Sequence, residues 1–319
     1  MSDTRPGGRL PVTVIGGYLG TGKTTLVNRL LRAADGQRLA VLVNDFGTTP
    51  IDRDLIVSSN GDTLEISGGC VCCSYGSDLM DTLMALPAQR PDIERVVLET
   101  SGVALPGMVA SAVTLLLPYR IDGIVVMTDV ETVRTMAEDA YLGDTITRQL
   151  SSADLVVANR CDLVDEASLQ ETLAWLGTES PAARIVPATR ADIAPDLLLG
   201  LRDAATPRLS NTLTTPGAPD AASLYASLEL DLPADIDVME LGRRLTAPST
   251  GVLRAKGILL QADGRPVALH VVGRRFEIDE APAGTRPGKL VVIGLRARLD
   301  RRAVVESLQP RLSTSLRSA

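Results

Sequence analysis

The chain has 319 residues, of which 45% are hydrophobic and 22% are charged. This composition is that of a folded globular protein, and the length is sufficient for two domains, each with its own core. A formal net charge of −7 disfavours nonspecific attraction to nucleic acid or to an anionic membrane surface, so protein and small-molecule partners are expected.

The N-terminal residues 1–9 are polar, and the first apolar run leads into a glycine-rich turn, so no signal peptide is predicted. The other apolar runs are too short to cross a bilayer. Three of the four cysteines are Cys70, Cys72 and Cys73, a spacing that predicts reduced thiols and no disulfides. A cytoplasmic location without membrane contact is therefore expected.

Short apolar runs alternate with amphipathic segments up to residue 187. Strands are predicted at residues 10–15, 38–43, 95–98, 123–127, 155–158 and 184–187, with helices between them, including 25–31 and 77–86. Near-continuous apolar strands separated by crossovers are typical of a mainly parallel sheet buried on both faces. The first domain, residues 1–208, is therefore predicted to be α/β.

The composition changes at residues 206–220, where Pro, Thr, Ser and Gly replace the periodic pattern. We predict a linker at residues 209–220 and a second domain over residues 221–319. Strands are predicted there at 224–232, 252–261, 267–276 and 289–295, and helices at 235–245 and from residue 300 onward. This order predicts a smaller α+β domain with an antiparallel sheet.

Residues 17–24, with the sequence GYLGTGKT, follow the first predicted strand and open the first predicted helix. This is the pattern and the context of a phosphate-binding P-loop. Lys23 is expected to contact the β- and γ-phosphates, and the Thr24 hydroxyl to ligate Mg²⁺. The alternative is a glycine turn before a helix. The predicted nucleotide-binding residues of this loop and helix start are Gly17, Gly20, Thr21, Gly22, Lys23, Thr24 and Thr25.

The strand predicted at residues 95–98 ends in an acidic residue, Glu99, with Gly102 close behind it. An acidic residue at this strand end is expected to hold Mg²⁺ through a water molecule. The amide of Gly102 is expected to contact the γ-phosphate. The alternative is that Glu99 only caps the next helix.

Asn159, Arg160, Cys161 and Asp162 follow the strand predicted at residues 155–158. They resemble the guanine-reading motif of GTPases, in which Lys ordinarily takes the second position. The Asp162 carboxylate can accept hydrogen bonds from N1–H and from the exocyclic amine of guanine, two donors that adenine does not offer at these positions. The aliphatic stem of Arg160 can cover the face of the base. A turn capped by Asn and Asp is the alternative, and Cys161 is expected to be a packed residue.

The cysteine motif consists of Cys70, Cys72 and Cys73, shortly before the helix predicted at residues 77–86. Thiolates suit Zn²⁺, Co²⁺ or Cu⁺ better than hard cations, and a nearby helix N-terminus favours the deprotonated form. Three thiols so close together do not easily complete a rigid tetrahedron, so an outside ligand and an exchangeable metal are expected. Small buried cysteines or redox thiols are the alternative.

With these motifs in this order, the chain resembles the CobW-type metallochaperone GTPases, relatives of the urease and hydrogenase maturation GTPases. The resemblance extends to residues 43–47 as a first switch segment and to the strand bearing His270. It implies GTP hydrolysis coupled to loading or release of a transition metal, Zn²⁺ or Co²⁺, held at the cysteine motif for a client metalloprotein or metal-cofactor enzyme. The catalytic residues it implies are Lys23, Thr24, Asp45 and Glu99. Asp45 is implied as a Mg²⁺ or metal-adjacent ligand, and a plain turn residue is the alternative.

Two departures from the family pattern are Arg160 in place of Lys and the lack of a histidine-rich tract, since His270 is the sole histidine. Metal storage is therefore not expected. His270 is interpreted as a packed core residue, with a direct metal role as the alternative. A P-loop small-molecule or nucleotide kinase and a non-catalytic metal or redox sensor are the competing functions. The sequence leaves open whether the protein forms a homo-oligomer.

Overall fold

The computed structural model describes residues 8–34, 37–43, 77–199, 224–232, 236–261, 263–281 and 285–308. Its strands are β1 (Leu10–Gly17), β2 (Leu39–Val43), β3 (Arg95–Glu99), β4 (Tyr119–Asp129), β5 (Leu155–Asn159), β6 (Arg184–Pro187), β7 (Tyr225–Asp231), β8 (Val252–Leu260), β9 (Pro266–Val272), β10 (Arg275–Glu280) and β11 (Lys289–Leu295). Its helices are α1 (Lys23–Ala33), α2 (Ser77–Gln89), α3 (Pro106–Thr114), α4 (Val133–Glu138), α5 (Gly143–Ser151), α6 (Glu166–Glu179), α7 (Asp196–Leu199), α8 (Val238–Leu245) and α9 (Arg301–Ser307).

Strands β1 to β6 form a parallel sheet in the order β2-β3-β1-β4-β5-β6. The chain leaves the carboxyl end of β1 between β3 and β4, at the kind of position where doubly wound sheets bind their ligands. The predicted α/β architecture is confirmed. β4 begins at Tyr119, earlier than the predicted residue 123. The prediction missed its first residues because Arg120 and Asp122 interrupt the apolar pattern, although both are buried.

Both faces of the parallel sheet are covered, which explains why its strands are apolar without alternation. One face packs against α2 and α3 through a core that includes Val14 and Leu98. On the same side, Val156 and Leu176 belong to the core beneath α5 and α6. The opposite face shares one core with α1, residues 188–199 and the second sheet.

The second sheet is antiparallel, in the order β10-β9-β8-β11-β7. Its side chains alternate between two cores. On β11, Leu290 and Val292 face α8 and α9, whereas Val291 and Ile293 face the parallel sheet. The prediction of a smaller α+β domain with an antiparallel sheet is confirmed.

The single strand predicted at residues 267–276 is wrong. The chain forms a hairpin there, in which β9 and β10 pair antiparallel around a turn at Gly273, whose φ is 61°. A two-residue turn interrupts the strand pattern only briefly, and a glycine within a strand pattern also fits a bulge. The hairpin adds β10 to the edge of the second sheet.

The two sheets meet at the amino ends of the parallel strands. Near the start of β4, the fully buried carboxylate of Asp122 pairs with Arg95 of β3, with Arg120 at 3.0 Å, and with Arg254 of β8. Removing one partner of such a buried charge cluster is costly because it leaves an uncompensated charge, whereas replacing the whole cluster by apolar groups often costs little stability. The P-loop lies at the other end of the same strands.

No helix within the described ranges is both long enough and apolar enough to span a membrane. The predicted linker at residues 209–220 lies outside the described residues, so the domain boundary stays a prediction.

Candidate functional site

The loop at residues 17–24 joins the carboxyl end of β1 to α1. Gly17 has a φ of 129°, and a Cβ there would lie 2.2 Å from the carbonyl oxygen of Met127, so only glycine fits. The first hydrogen bond of α1 runs from the Leu26 amide to the Gly22 carbonyl. The amides of the first helical turn are therefore directed toward the loop, where the helix dipole favours a phosphate.

The other predicted loop residues lie around the same turn. Gly20 and Gly22 have φ values of 75° and 102°, and the Thr21 hydroxyl donates to the Tyr18 carbonyl at 2.9 Å. Thr25 is exposed in the first turn of α1. The predicted strand, loop and helix are therefore present in the required order.

The Lys23 ammonium group folds back over the P-loop. Its Nζ donates to the Tyr18 carbonyl oxygen at 3.1 Å, and the residue is 9% exposed. The positive charge is thus held at the loop, where phosphate oxygens would be stronger, charged acceptors than a carbonyl.

Thr24 and Glu99 meet beside Lys23. The Thr24 Oγ1 donates to Glu99 Oε1 at 2.9 Å, and Glu99 ends β3 with only 4% of its surface exposed. The alternative in which Glu99 caps the next helix is wrong, because the N-cap of α3 is Leu105 and no side chain caps it. A hydroxyl and a carboxylate beside a phosphate loop form the oxygen-donor set that Mg²⁺ prefers, so the two residues fit this ion.

The turn after β3 is held against the P-loop. The backbone of Gly102 lies directly against Leu19 of the loop. On its other side, the Gln149 side chain of α5 donates to the carbonyls of Gly102 at 3.0 Å and Ala104 at 2.8 Å. Gln149 could not be predicted as a site residue, because it belongs to no motif and is far from this turn in sequence.

Asn159 is buried at the end of β5 and joins two loops. Its Nδ2 donates to the Thr21 carbonyl at 2.9 Å, and its Oδ1 accepts from the Ala191 amide at 2.8 Å. The side chain predicted to belong to the base site thus ties the P-loop to the loop that follows β6.

Arg160 also contacts the P-loop. Its φ is 64°, and its guanidinium group donates to Asp129 Oδ2 at 2.6 Å and to the Gly20 carbonyl at 2.9 Å. Asp162 is exposed just beyond it, in a short 3-10 helix. The motif therefore presents its terminal carboxylate to solvent at the same end of the sheet as the P-loop.

Residues 188–191 form a part of this site that sequence reasoning missed. The Cys161 amide donates to the Ala188 carbonyl at 3.1 Å, and Arg190 and Ala191 have φ values of 52° and 56°. In the described chain, these two and Arg160 are the non-glycine residues with positive φ. Backbone strain of this kind clusters at functional sites. The sequence feature that could have indicated residues 188–191 is their position directly after a buried strand.

Cys161 and His270 are both packed against neighbouring parts of the chain. The Cys161 thiol donates to the Ala158 carbonyl at 3.1 Å, and burial raises its pKa, so it stays protonated near neutral pH. Burial, assisted by the charge of Arg120, lowers the pKa of His270 to about 2. The His270 side chain is 11% exposed within the contacts between the two sheets, as expected for a packed core residue.

Asp45 and the cysteine motif (Cys70, Cys72 and Cys73) lie outside the described residues. Within the ranges that the structure does describe, no group of three or more His, Cys, Asp or Glu side chains is arranged to hold a metal ion. The roles of these four residues stay predictions.

Comparison with known families matches both parts of the chain. The model for the CobW/HypB/UreG nucleotide-binding domain matches residues 11–187, and that for the cobalamin synthesis protein cobW C-terminal domain matches residues 225–312.

Among characterised relatives, a zinc chaperone CobW of Pseudomonas aeruginosa is 30% identical, over 96% of this chain and 92% of its own length. A zinc chaperone CobW of Sinorhizobium sp is 28% identical, over 90% of this chain and 93% of its own length. The zinc-regulated GTPase metalloprotein activator 1 of Schizosaccharomyces pombe is 31% identical over 50% of this chain and 41% of its own length.

Proposed function

Because the chain belongs to the CobW/HypB/UreG family, we propose that it is a GTP-hydrolysing metallochaperone that binds Zn²⁺ and passes it to a client metalloprotein or metal-cofactor enzyme. The observation that carries the proposal is the meeting of Lys23, Thr24 and Glu99 at the end of β1. These residues supply the phosphate-binding charge and the Mg²⁺ ligands that nucleoside triphosphate hydrolysis requires of a P-loop site, which supports the proposal.

In this proposal the first turn of α1 and the Lys23 ammonium bind the β- and γ-phosphates. Thr24 and Glu99 would hold Mg²⁺, which when bound would neutralise part of the phosphate charge. Water attacks the γ-phosphorus, the bond to the β–γ bridging oxygen breaks, and GDP and phosphate leave. We assign the Gly102 amide as a donor to the γ-phosphate, and the hydrogen bond from Gln149 to the Gly102 carbonyl supports a fixed position for this turn.

Selection of guanine is assigned to Asp162. Its exposed carboxylate accepts from N1–H and from the exocyclic amine of guanine, whereas adenine presents an acceptor at N1 and would be repelled. Asn159 and Arg160 hold the motif against the P-loop. These hydrogen bonds support the assignment, because they tie the loop that carries Asp162 to the P-loop.

In this proposal Zn²⁺ is the ion that the protein binds and delivers. The names of the relatives support Zn²⁺, and Cys70, Cys72 and Cys73 are the thiolate ligands we propose for it. Co²⁺ is the second candidate by thiolate chemistry. We propose that Mg²⁺·GTP binding acts on the segment that contains Asp45, that this segment is coupled to the cysteine motif, and that hydrolysis changes the metal affinity of that motif.

Nucleotide binding and turnover test the proposal. The parent protein should bind GTP in preference to ATP and release phosphate slowly in the presence of Mg²⁺. Lys23→Ala should lose tight nucleotide binding while keeping its fold, because it removes the ammonium charge proposed to contact the β- and γ-phosphates. Lys289→Ala, which removes an exposed ammonium group on β11, is the matched control and should bind GTP like the parent. A parent that prefers ATP would support the kinase alternative.

A further inference from the structure

Residues 188–199 run from the end of β6 to the end of α7 along the face that the two sheets share. Their apolar side chains are buried in the common core. The consecutive left-handed residues Arg190 and Ala191 show that the backbone takes a shape that residues with a Cβ rarely adopt. Such a shape persists only where the surroundings enforce it.

The first part of residues 188–199 is bound to the nucleotide site. Ala188 exchanges hydrogen bonds with β5 and with the amide of Cys161, at 2.8 and 3.1 Å. The Ala191 amide donates to Asn159, which in turn donates to the P-loop carbonyl of Thr21. A displacement of this backbone would therefore be transmitted to the base motif and to the P-loop.

The same segment is attached to the helix that follows the P-loop. Arg29 of α1 donates to the Arg190 carbonyl at 3.0 Å and to the Asp192 carboxylate at 2.9 Å. These contacts fix the left-handed residues against α1, whose first turn belongs to the phosphate site.

The far end of the segment is held by both sheets. The Leu197 carbonyl accepts from Arg254 Nη1 at 2.8 Å, and the Leu198 carbonyl accepts from the Thr13 hydroxyl at 2.9 Å. Both carbonyls lie in the last turn of α7, where helical carbonyls have no partner within the helix. Arg254 of β8 thus caps a helix of the first domain.

Arg254 is itself held in place. Its guanidinium group is 4% exposed and also pairs with Asp122, whose carboxylate is fully buried between Arg95 and Arg120. A planar guanidinium can donate to a carboxylate and to a carbonyl at once, which an ammonium group on a flexible stem does less well. Arg254 therefore links β8 to α7, so that a shift of β8 would also move the end of α7.

We propose that Arg254 is a positioning residue for nucleotide binding: by capping α7 it keeps residues 188–199 in the shape that fixes Asn159 and the base-reading loop. This inference rests on the proposed function, since it requires a guanine nucleotide at residues 159–162. Linkage makes the effect reciprocal, so bound nucleotide should in turn strengthen the docking of the second sheet.

The test compares two arginine variants at the contact between the sheets. Arg254→Met removes the cap on α7, while Asp122 keeps Arg95 and Arg120 as partners. Arg275→Met is the matched control, because it removes an ion pair with Asp154 across the same contact. Affinities are measured for GDP and for IDP, which lacks the exocyclic amine, by competition with a fluorescent guanine nucleotide.

We expect Arg254→Met to weaken GDP binding by about fivefold or more and to reduce the preference for GDP over IDP. Arg254→Lys should restore part of the GDP affinity and part of the preference for GDP over IDP. Arg275→Met should keep the preference of the parent protein for GDP over IDP. Bound GDP should slow amide exchange in β8 of the parent more than in Arg254→Met. Unchanged GDP affinity and selectivity in both Arg254 variants would overturn the inference, as would an equal loss in Arg275→Met. A parent without preference for GDP over ADP would instead reject the proposed function.

Discussion

The Thr24 hydroxyl donates to the Glu99 carboxylate at 2.9 Å, joining the start of α1 to the end of β3 across the central strand. The two residues are far apart in sequence, and only the strand order of the parallel sheet brings them together. This pair marks the position proposed for Mg²⁺ beside the β- and γ-phosphates.

Glu99→Gln should lower GTP turnover by about tenfold or more, because the amide keeps the hydrogen bond from Thr24 but removes the charge that holds Mg²⁺. Binding of GDP without Mg²⁺ should change little. Glu94→Gln, the same change at an exposed ion pair with Arg38, is the control and should keep parental turnover. Phosphate release across a Mg²⁺ titration measures both, and equal curves for parent and Glu99→Gln would remove Glu99 from the site.

Arg160→Lys should weaken GTP binding by about 1 kcal/mol, or about fivefold, because an ammonium group does not span Asp129 and the Gly20 carbonyl as the guanidinium group does. The measurement is calorimetric titration with a non-hydrolysable GTP analogue. Arg134→Lys, at an exposed pair with Glu171, is expected to bind like the parent. If Arg160→Lys binds as tightly as the parent, the two contacts of Arg160 have no part in fixing the loop.

Asp162→Asn should weaken GTP and favour xanthosine triphosphate, since the added oxygen of xanthine accepts a hydrogen bond from the new amide. Competition binding with the two nucleotides measures the change in preference. Asp144→Asn, at an exposed position in α5, should leave the preference for GTP intact. A variant at Asp162 that still prefers GTP would place guanine recognition elsewhere.

Asp122→Asn should lower the free energy of unfolding at pH 7 by about 3–5 kcal/mol, because three buried arginines lose their shared carboxylate. Burial alone would raise the pKa of Asp122, but Arg254, Arg95 and Arg120 outweigh it and hold the pKa well below 3.8.

The stabilisation by Asp122 is therefore full above the unfolded pKa and is lost as pH falls through the folded pKa. Urea unfolding between pH 7 and pH 4 should show a constant difference between parent and Asp122→Asn, which narrows only in more acid solution. Asp144→Asn should stay within about 0.5 kcal/mol of the parent. A difference that disappears already between pH 7 and pH 5 would contradict the low pKa.

The strands and the P-loop could be predicted because their signals are local: apolar runs bounded by glycine, and a motif between a strand and a helix. Gln149 and residues 188–191 could not, because they act through hydrogen bonds to distant backbone groups and carry no motif. Asp122 was hidden for a different reason. A charged residue inside a strand normally indicates exposure, and the burial of Asp122 becomes favourable through its pairing with Arg95, Arg120 and Arg254, the last of which belongs to the second sheet.

The most direct test of the proposed metallochaperone is the Zn²⁺ affinity of the protein in its two nucleotide states. Competition with a chromophoric chelator measures this affinity in the presence of Mg²⁺ and either GDP or a non-hydrolysable GTP analogue. The parent should bind Zn²⁺ with affinities that differ by about tenfold between the two states. Cys72→Ser should bind Zn²⁺ at least about tenfold more weakly, because changes even to groups that only contact a metal ligand cost this much affinity. Cys161→Ser should bind Zn²⁺ like the parent. Equal Zn²⁺ affinity in both nucleotide states, or in parent and Cys72→Ser, would contradict GTP-dependent zinc delivery from this motif.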